Sequence, residues 1–171
     1  MKKSKQETVA LRDCFRNEIP GNVVKKVLHL LFSPQFSAVF LVRMFLNSKL
    51  KIVSIILGRR LAKKYGIFIS ETTEIGIGLK LPHPTGIVFG RSVVIGKNCT
   101  VFQQVTLGSK NVFDEDEQQP SVGNNCVLGA GAKVLGGIVL GNNTTIGANA
   151  VVLVSTDDNS TYAGVPAGRI G

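Results

Sequence analysis

The sequence predicts a mainly β fold: a parallel β-helix over residues 69–171, behind a short, basic and apolar α-helical segment over 1–68. Three observations carry this. The first is a six-residue period of large apolar residues in three registers. These are Ile69, Ile75, Leu81 and Ile87; then Phe89, Ile95, Val101 and Leu107; then Val122, Leu128, Val134, Leu140, Ile146 and Val152. Such a period fits neither a helix nor an alternating strand. It is the mark of short strands and turns stacked as coils, three units to a coil. The second observation is glycine directly after the apolar residue, as in Ile75-Gly76, Phe89-Gly90, Ile95-Gly96, Val122-Gly123 and Leu128-Gly129. The third is charge. Residues 1–68 hold 14 Lys or Arg against 3 acids, and residues 69–171 hold 6 against 8. The net charge of +9 therefore belongs to the N-terminal segment and says nothing of a ligand on the repeats.

Met1 to Asn22 is polar and basic, without the apolar run and small-residue cleavage site of a signal peptide. Val23 to Leu61 is apolar but punctuated. Ser33-Pro34 reads as an N-cap followed by proline at the first helical position. This predicts helices near 22–32, 34–47 and 49–64. The longest uncharged run, Val27 to Val42, is shorter than the roughly 20 apolar residues that a membrane span needs. The helices can bury their apolar faces against one another and a neighbouring subunit. Alternatively, their basic residues with Phe32, Phe36, Phe40 and Phe45 can place them at an anionic membrane surface. No nucleic-acid-binding motif accompanies the basic charge, so no nucleic acid partner is expected. His29 reads as an ordinary helix histidine.

From Ile69 onward, inward apolar residues stack coil on coil into one continuous core. Glycine after the inward residue suits tight corners with unusual backbone angles. Asn98, Asn124, Asn125, Asn142, Asn143 and Asn149 tolerate left-handed conformations for a similar reason. Cys99 and Cys126 each stand four places after a repeat position, where a small inward residue belongs, and are expected as buried, unpaired thiols. With Cys14 they form no metal-ligand spacing. They suit a reducing, cytoplasmic location, with the inner face of the cell membrane as the place where basic helices would act. A zinc site of three histidines is excluded, since the chain has only His29 and His83; no metal is expected.

The period is interrupted twice. The first interruption is a two-residue slip at Pro82-His83-Pro84-Thr85-Gly86. Prolines on both sides of His83 fix the backbone and remove two donors. An imidazole pushed off the regular face there can take a proton from an alcohol near neutral pH, and general-base help of this kind is worth about 10²- to 10⁴-fold. The second interruption is the insertion 109–121, whose run Asp114-Glu115-Asp116-Glu117 reads as a solvated loop projecting toward a neighbouring active site.

Four ordered stretches resemble the serine acetyltransferase branch of the hexapeptide-repeat acyltransferases. They are Ile77-Gly78-Leu79-Lys80-Leu81-Pro82-His83-Pro84-Thr85-Gly86-Ile87-Val88-Phe89-Gly90, Val101-Phe102-Gln103-Gln104-Val105-Thr106-Leu107-Gly108, Gly129-Ala130-Gly131-Ala132-Lys133-Val134-Leu135-Gly136 and Ala163-Gly164-Val165-Pro166-Ala167. The resemblance implies a homotrimer of left-handed β-helices, with acetyl-CoA as acyl donor in the groove between adjacent subunits. It implies that His83 deprotonates the acceptor hydroxyl, which attacks the thioester directly, without a covalent enzyme intermediate. Small residues at Ala130, Gly131 and Ala148 would let the pantetheine arm lie close to the backbone. The Gly108-Ser109 corner can expose N–H donors to the developing oxyanion. Arg169 is placed to meet a CoA phosphate, although Gly168 stands where the family continues with Pro-Ala-Arg. Gln103, Gln118 and Gln119 are the expected acceptor contacts.

The chain departs from that branch in three places. Pro82 stands where the family carries Asp before its histidine, so an orienting carboxylate must come from elsewhere. Gln118-Gln119-Pro120 stands where the family has Arg-His-Pro, a pair that helps hold the amino acid. A short basic segment replaces the long helical N-terminal domain. These departures look more like the sugar O-acetyltransferases of capsule, exopolysaccharide or O-antigen synthesis. The expected function is therefore acetyl-CoA-dependent O-acetylation of a surface-glycan sugar. Serine O-acetylation, a step of cysteine biosynthesis, is the alternative, and a non-catalytic trimeric scaffold is a distant third.

Overall fold

The structure, a computed structural model, describes residues 33–111 and 118–171. The helix expected near 22–32, together with Cys14, His29, Phe32 and the acidic run 114–117, lies outside them. Strands follow one another at the spacing of the repeat, three to a coil. The first coil holds β1 (Phe68–Ile69) and β2 (Glu74–Ile75), and Lys80 makes a single bridge to Thr100 on its third side. The second holds β3 (Val88–Phe89), β4 (Val94–Ile95) and β5 (Thr100–Val101). The third holds β6 (Thr106–Gly108), β7 (Ser121–Val122) and β8 (Val127–Leu128). The fourth holds β9 (Lys133–Leu135), β10 (Val139–Leu140) and β11 (Thr145–Ile146). The chain ends with β12 (Val151–Val152) and the antiparallel pair β13 (Thr161–Gly164) and β14 (Ala167–Arg169).

Strands one coil apart pair in parallel, which makes three sheets and a three-sided prism. The first sheet runs β1-β3-β6-β9-β12, the second β2-β4-β7-β10, and the third β5-β8-β11-β13-β14. The inward residues of the sequence pattern line up through this register, as in Ile75, Ile95, Val122 and Leu140. All of them are buried except Ile69, which is half-buried against the same core. Each such burial contributes roughly 1.5–3 kcal/mol. The slip is visible in the register too. Ile69 pairs with Phe89, twenty residues on, whereas Phe89 pairs with Leu107, eighteen on. The two extra residues fall at the corner that carries His83.

The glycines after the inward residues do not take unusual angles, contrary to the expectation from the sequence. For all but Gly108, where a Cβ would meet only Thr106 at 4.0 Å, the reason is crowding between coils. A Cβ on Gly96 would lie 2.5 Å from the Gly123 carbonyl oxygen, and one on Gly123 would lie 2.8 Å from the Gly141 carbonyl carbon. Left-handed angles fall instead on Asn98, Asn125, Asn143, Asn149 and Asn159, with φ between 54° and 57°. Asn124 and Asn142 have another task. Asn124 Oδ1 accepts from Lys97 N at 2.8 Å, and Asn142 Oδ1 accepts from Asn124 N at 2.9 Å, so side chains run up one corner as a ladder. Cys99 and Cys126 are buried, and their thiols donate to the carbonyls of Gly123 and Gly141 one coil on, at 3.2 and 3.1 Å. Thr144 takes the same step in the following coil and donates to Asp157 O at 2.9 Å.

Two helices close the prism at its first coil. α1 (Pro34–Asn47) begins at the expected proline, but Ser33 makes no side-chain capping bond and marks the start through its extended backbone alone. α2 (Lys51–Tyr65) stops at Gly66, whose left-handed φ of 62° ends the helix in the way glycine commonly does. Ala38, Val42, Phe45, Leu61 and Tyr65 join one core with Ile67, Ile75 and Leu79 of the prism. The helices therefore pack on each other and on the coil beside them. Arg43, buried in α1, ties them down: Nη1 donates to Ile75 O at 2.6 Å and Nη2 to Gly76 O. Among the described residues no helix is long and apolar enough to cross a membrane.

Candidate active site

The corner between the third and first sheets stacks five of the expected site residues, coil upon coil. His83 stands on the first coil, Gln103 on the second, Ala130 and Gly131 on the third, and Ala148 on the fourth. Main-chain bonds fix the column: Gln104 N donates to Thr85 O, Gly131 N to Gln103 O and Asn149 N to Ala130 O, each at 2.8 Å.

His83 reaches solvent because of the slip. Pro84 is buried against the corner, while His83 beside it is exposed. Thr85 N donates back to His83 O at 2.8 Å and closes a tight turn. Gly86 N donates to Tyr65 O, the end of α2, at 3.0 Å. The turn is thus held on one side by the helix and on the other by the second coil. Phe102 lies next to the imidazole, with ring centroids 6.3 Å apart and planes tilted by 42°. Among the described residues no carboxylate pairs with His83, and Pro82 before it supplies none.

Beyond Gln103 the column is a strip of backbone and methyl groups. Gly131 turns the corner at a left-handed φ of 73°, and a Cβ there would lie 2.1 Å from Asn149 Oδ1, the end of a side chain on the next coil. Lys133 crosses back from β9 to this corner, where Nζ donates to Gln104 O at 2.7 Å and Gly131 O at 2.9 Å. Gln103 Oε1 is buried without a donor among the described residues. Sequence reasoning missed Phe102 and Lys133, although both stand inside stretches quoted for the resemblance. Their parts depend on which side chains face each other across coils, which the period alone does not give.

The other expected residues lie elsewhere in the subunit. Gly108, Ser109, Gln118 and Gln119 stand at the corner between the first and second sheets, where the insertion leaves and returns. Gln119 Oε1 would lie 2.9 Å from a Cβ on Gly90, and Gln118 Cβ 2.5 Å from a Cβ on Gly137, so both glutamines rest over glycine steps of neighbouring coils. Arg169, on β14, pairs through Nη1 with Asp157 Oδ2 at 2.9 Å, with both side chains exposed. Such a surface pair is worth about 0–1 kcal/mol, little enough for a phosphate to displace. Within one subunit, then, His83 and the two insertion glutamines occupy opposite edges of the first sheet.

With this geometry in hand, the relatives of the chain are informative. Residues 119–153 match the family described as bacterial transferase hexapeptide (six repeats). Over 105 residues the chain is 44% identical to the serine acetyltransferase of Helicobacter pylori, covering 61% of each protein. A serine acetyltransferase solved in complex with cysteine superposes with a TM-score of 0.83 at 30% identity, over 98% of this chain and 71% of that one. One solved in complex with CoA gives 0.80 at 31%, over 98% and 70%. The chain spans less than two thirds of the length of the curated relatives it resembles. The prism is left-handed, as theirs is. These findings overturn the expected surface-glycan acceptor and its role in polysaccharide biosynthesis; relatives at 43–44% identity favour serine instead. The expectation rested on Pro82, on Gln118-Gln119 and on a short helical segment, all of them local features, whereas the identity extends over more than 100 residues. The chain belongs to the hexapeptide-repeat acyltransferases, in their serine acetyltransferase-like branch.

Proposed function

We propose that the protein is a serine O-acetyltransferase, moving the acetyl group of acetyl-CoA to the hydroxyl of L-serine. The observation that carries this reading is His83, exposed on a doubly held turn at the foot of a column of small residues. His83 takes the proton of the serine hydroxyl as its oxygen attacks the thioester carbonyl carbon. The C–O bond forms, the C–S bond breaks, and His83 returns the proton to the leaving sulfur. Ala130, Gly131 and Ala148 leave room for the pantetheine arm along the column, and Lys133 holds two carbonyls of the same corner. The Gly108-Ser109 corner of the neighbouring subunit is the part of the site that would supply N–H donors to the oxyanion.

The protein acts as a homotrimer in this reading. The insertion corner of one subunit meets the His83 corner of the next, which brings Gln118 and Gln119 to the acceptor and gives acetyl-CoA its groove. Residues 69–171 form the catalytic domain. The described helices α1 and α2 pack on its first coil and are the part that would meet lipid at the inner face of the cell membrane. The test is release of CoA from acetyl-CoA with and without L-serine. Serine-dependent release supports the reading, and its absence at any serine concentration would sink it.

A further inference from the structure

The outward face of α2 is unlike the rest of the surface. Ser54, Leu61 and Tyr65 turn inward, and the opposite half of the helix follows the three- and four-residue spacing of a single face. Its first half is aliphatic: Ile52, Ile55 and Ile56 are 64%, 46% and 58% exposed, and Leu50 just before the helix is 65% exposed. Its second half is cationic, with Arg59, Arg60, Lys63 and Lys64 all exposed. Among the described residues, Ile56 and these four cations line a groove of about 570 Å³. Lys49 and Lys51 flank the aliphatic half, and no acidic residue occurs anywhere from 33 to 70. Of the phenylalanines expected to meet a membrane, the three described ones do not supply this surface, since Phe45 is buried and Phe36 and Phe40 are half-buried.

We propose that this face of α2 docks on an anionic lipid bilayer. With aliphatic side chains and cations on one outward face, the helix can lie against the membrane interface with both kinds of group in contact with lipid. The isoleucines and Leu50 enter the headgroup region, where burial of their side chains favours binding. Arg59, Arg60, Lys63 and Lys64 meet lipid phosphates, as basic residues at a negatively charged leaflet do. Charge selects this occupant over a second copy of the same face, because two such faces in contact would set cation against cation with no acid between them. The proposal stands apart from the acetyl-transfer reading: binding to lipid needs neither His83 nor serine.

The test is co-sedimentation of the full chain with vesicles of phosphatidylcholine, with and without phosphatidylglycerol. Binding is expected to the anionic vesicles alone and to fall as salt rises. Each of Arg59→Gln, Arg60→Gln, Lys63→Gln and Lys64→Gln should lower partitioning about 5-fold. The double variant Ile52→Ser with Ile56→Ser should weaken binding while leaving serine-dependent CoA release in solution unchanged. Equal binding to neutral and anionic vesicles would overturn the proposal, as would binding that survives all four neutralisations. So would a drop in assembly mass for the isoleucine variant, which would show that a second copy covers the face.

Discussion

His83 is positioned through its backbone rather than its side chain. Pro84 is buried, Thr85 N closes the turn onto His83 O, and Gly86 N is bonded to Tyr65 O. Replacing the imidazole should therefore leave the turn in place. His83→Ala is expected to lower kcat by about 10²- to 10⁴-fold, with unchanged Tm and unchanged assembly mass; near-normal turnover would remove the histidine from the chemistry. Much of this was legible in the sequence, because a lone histidine between prolines at a break in period stands out. Phe102 and Lys133 were not legible. A ring set beside a ring, and an ammonium reaching from β9 to carbonyls of two coils, arise from stacking between residues far apart in the chain.

At the scale of the element, the sequence placed the strands and the two described helices but gave the wrong reason for the repeat glycines. The reason is close approach of coils, which the angle at any one residue does not reveal. Gly96→Ala would set a methyl 2.5 Å from the Gly123 carbonyl oxygen, which is backbone and cannot rotate away. Such overpacking costs about 1–3 kcal/mol. Gly168→Ala meets nothing within 4 Å and should be neutral. Thermal unfolding of the two variants separates the explanations, because similar Tm values would contradict crowding. The packing of the helices on the prism was likewise invisible in the sequence, where Arg43 read only as one more cation. Its bonds to Ile75 O and Gly76 O are charge-assisted, the class worth about 1.5–3 kcal/mol each. Arg43→Met should speed hydrogen exchange in α1 while β6 to β12 keep their protection. Uniform protection would show that the guanidinium is not what holds the helices.

Across the whole molecule, the regular repeat specifies a scaffold and says little about what it acts on. Pro82, Gln118 and Gln119 suggested a sugar acceptor, and that expectation was overturned by relatives that are serine acetyltransferases. The sequence carried both readings, the extended resemblance to serine acetyltransferases and the local departures from it, and the departures were given too much weight. The candidate acceptor residues and His83 lie on opposite edges of the first sheet and meet only if a second subunit closes the gap. A site shared in this way has a testable consequence. If His83→Ala and Gln118→Ala/Gln119→Ala chains are each impaired, mixing them should restore part of the activity, since some interfaces then hold both intact halves. Mixtures no more active than their components would place the whole site within one subunit. The most direct test of the central claim is the identity of the product. Nuclear magnetic resonance of L-serine incubated with the protein and acetyl-CoA should show an acetyl ester on the side-chain oxygen, formed with wild type and not with His83→Ala. Serine recovered unmodified while the folded protein and acetyl-CoA are both present would contradict it.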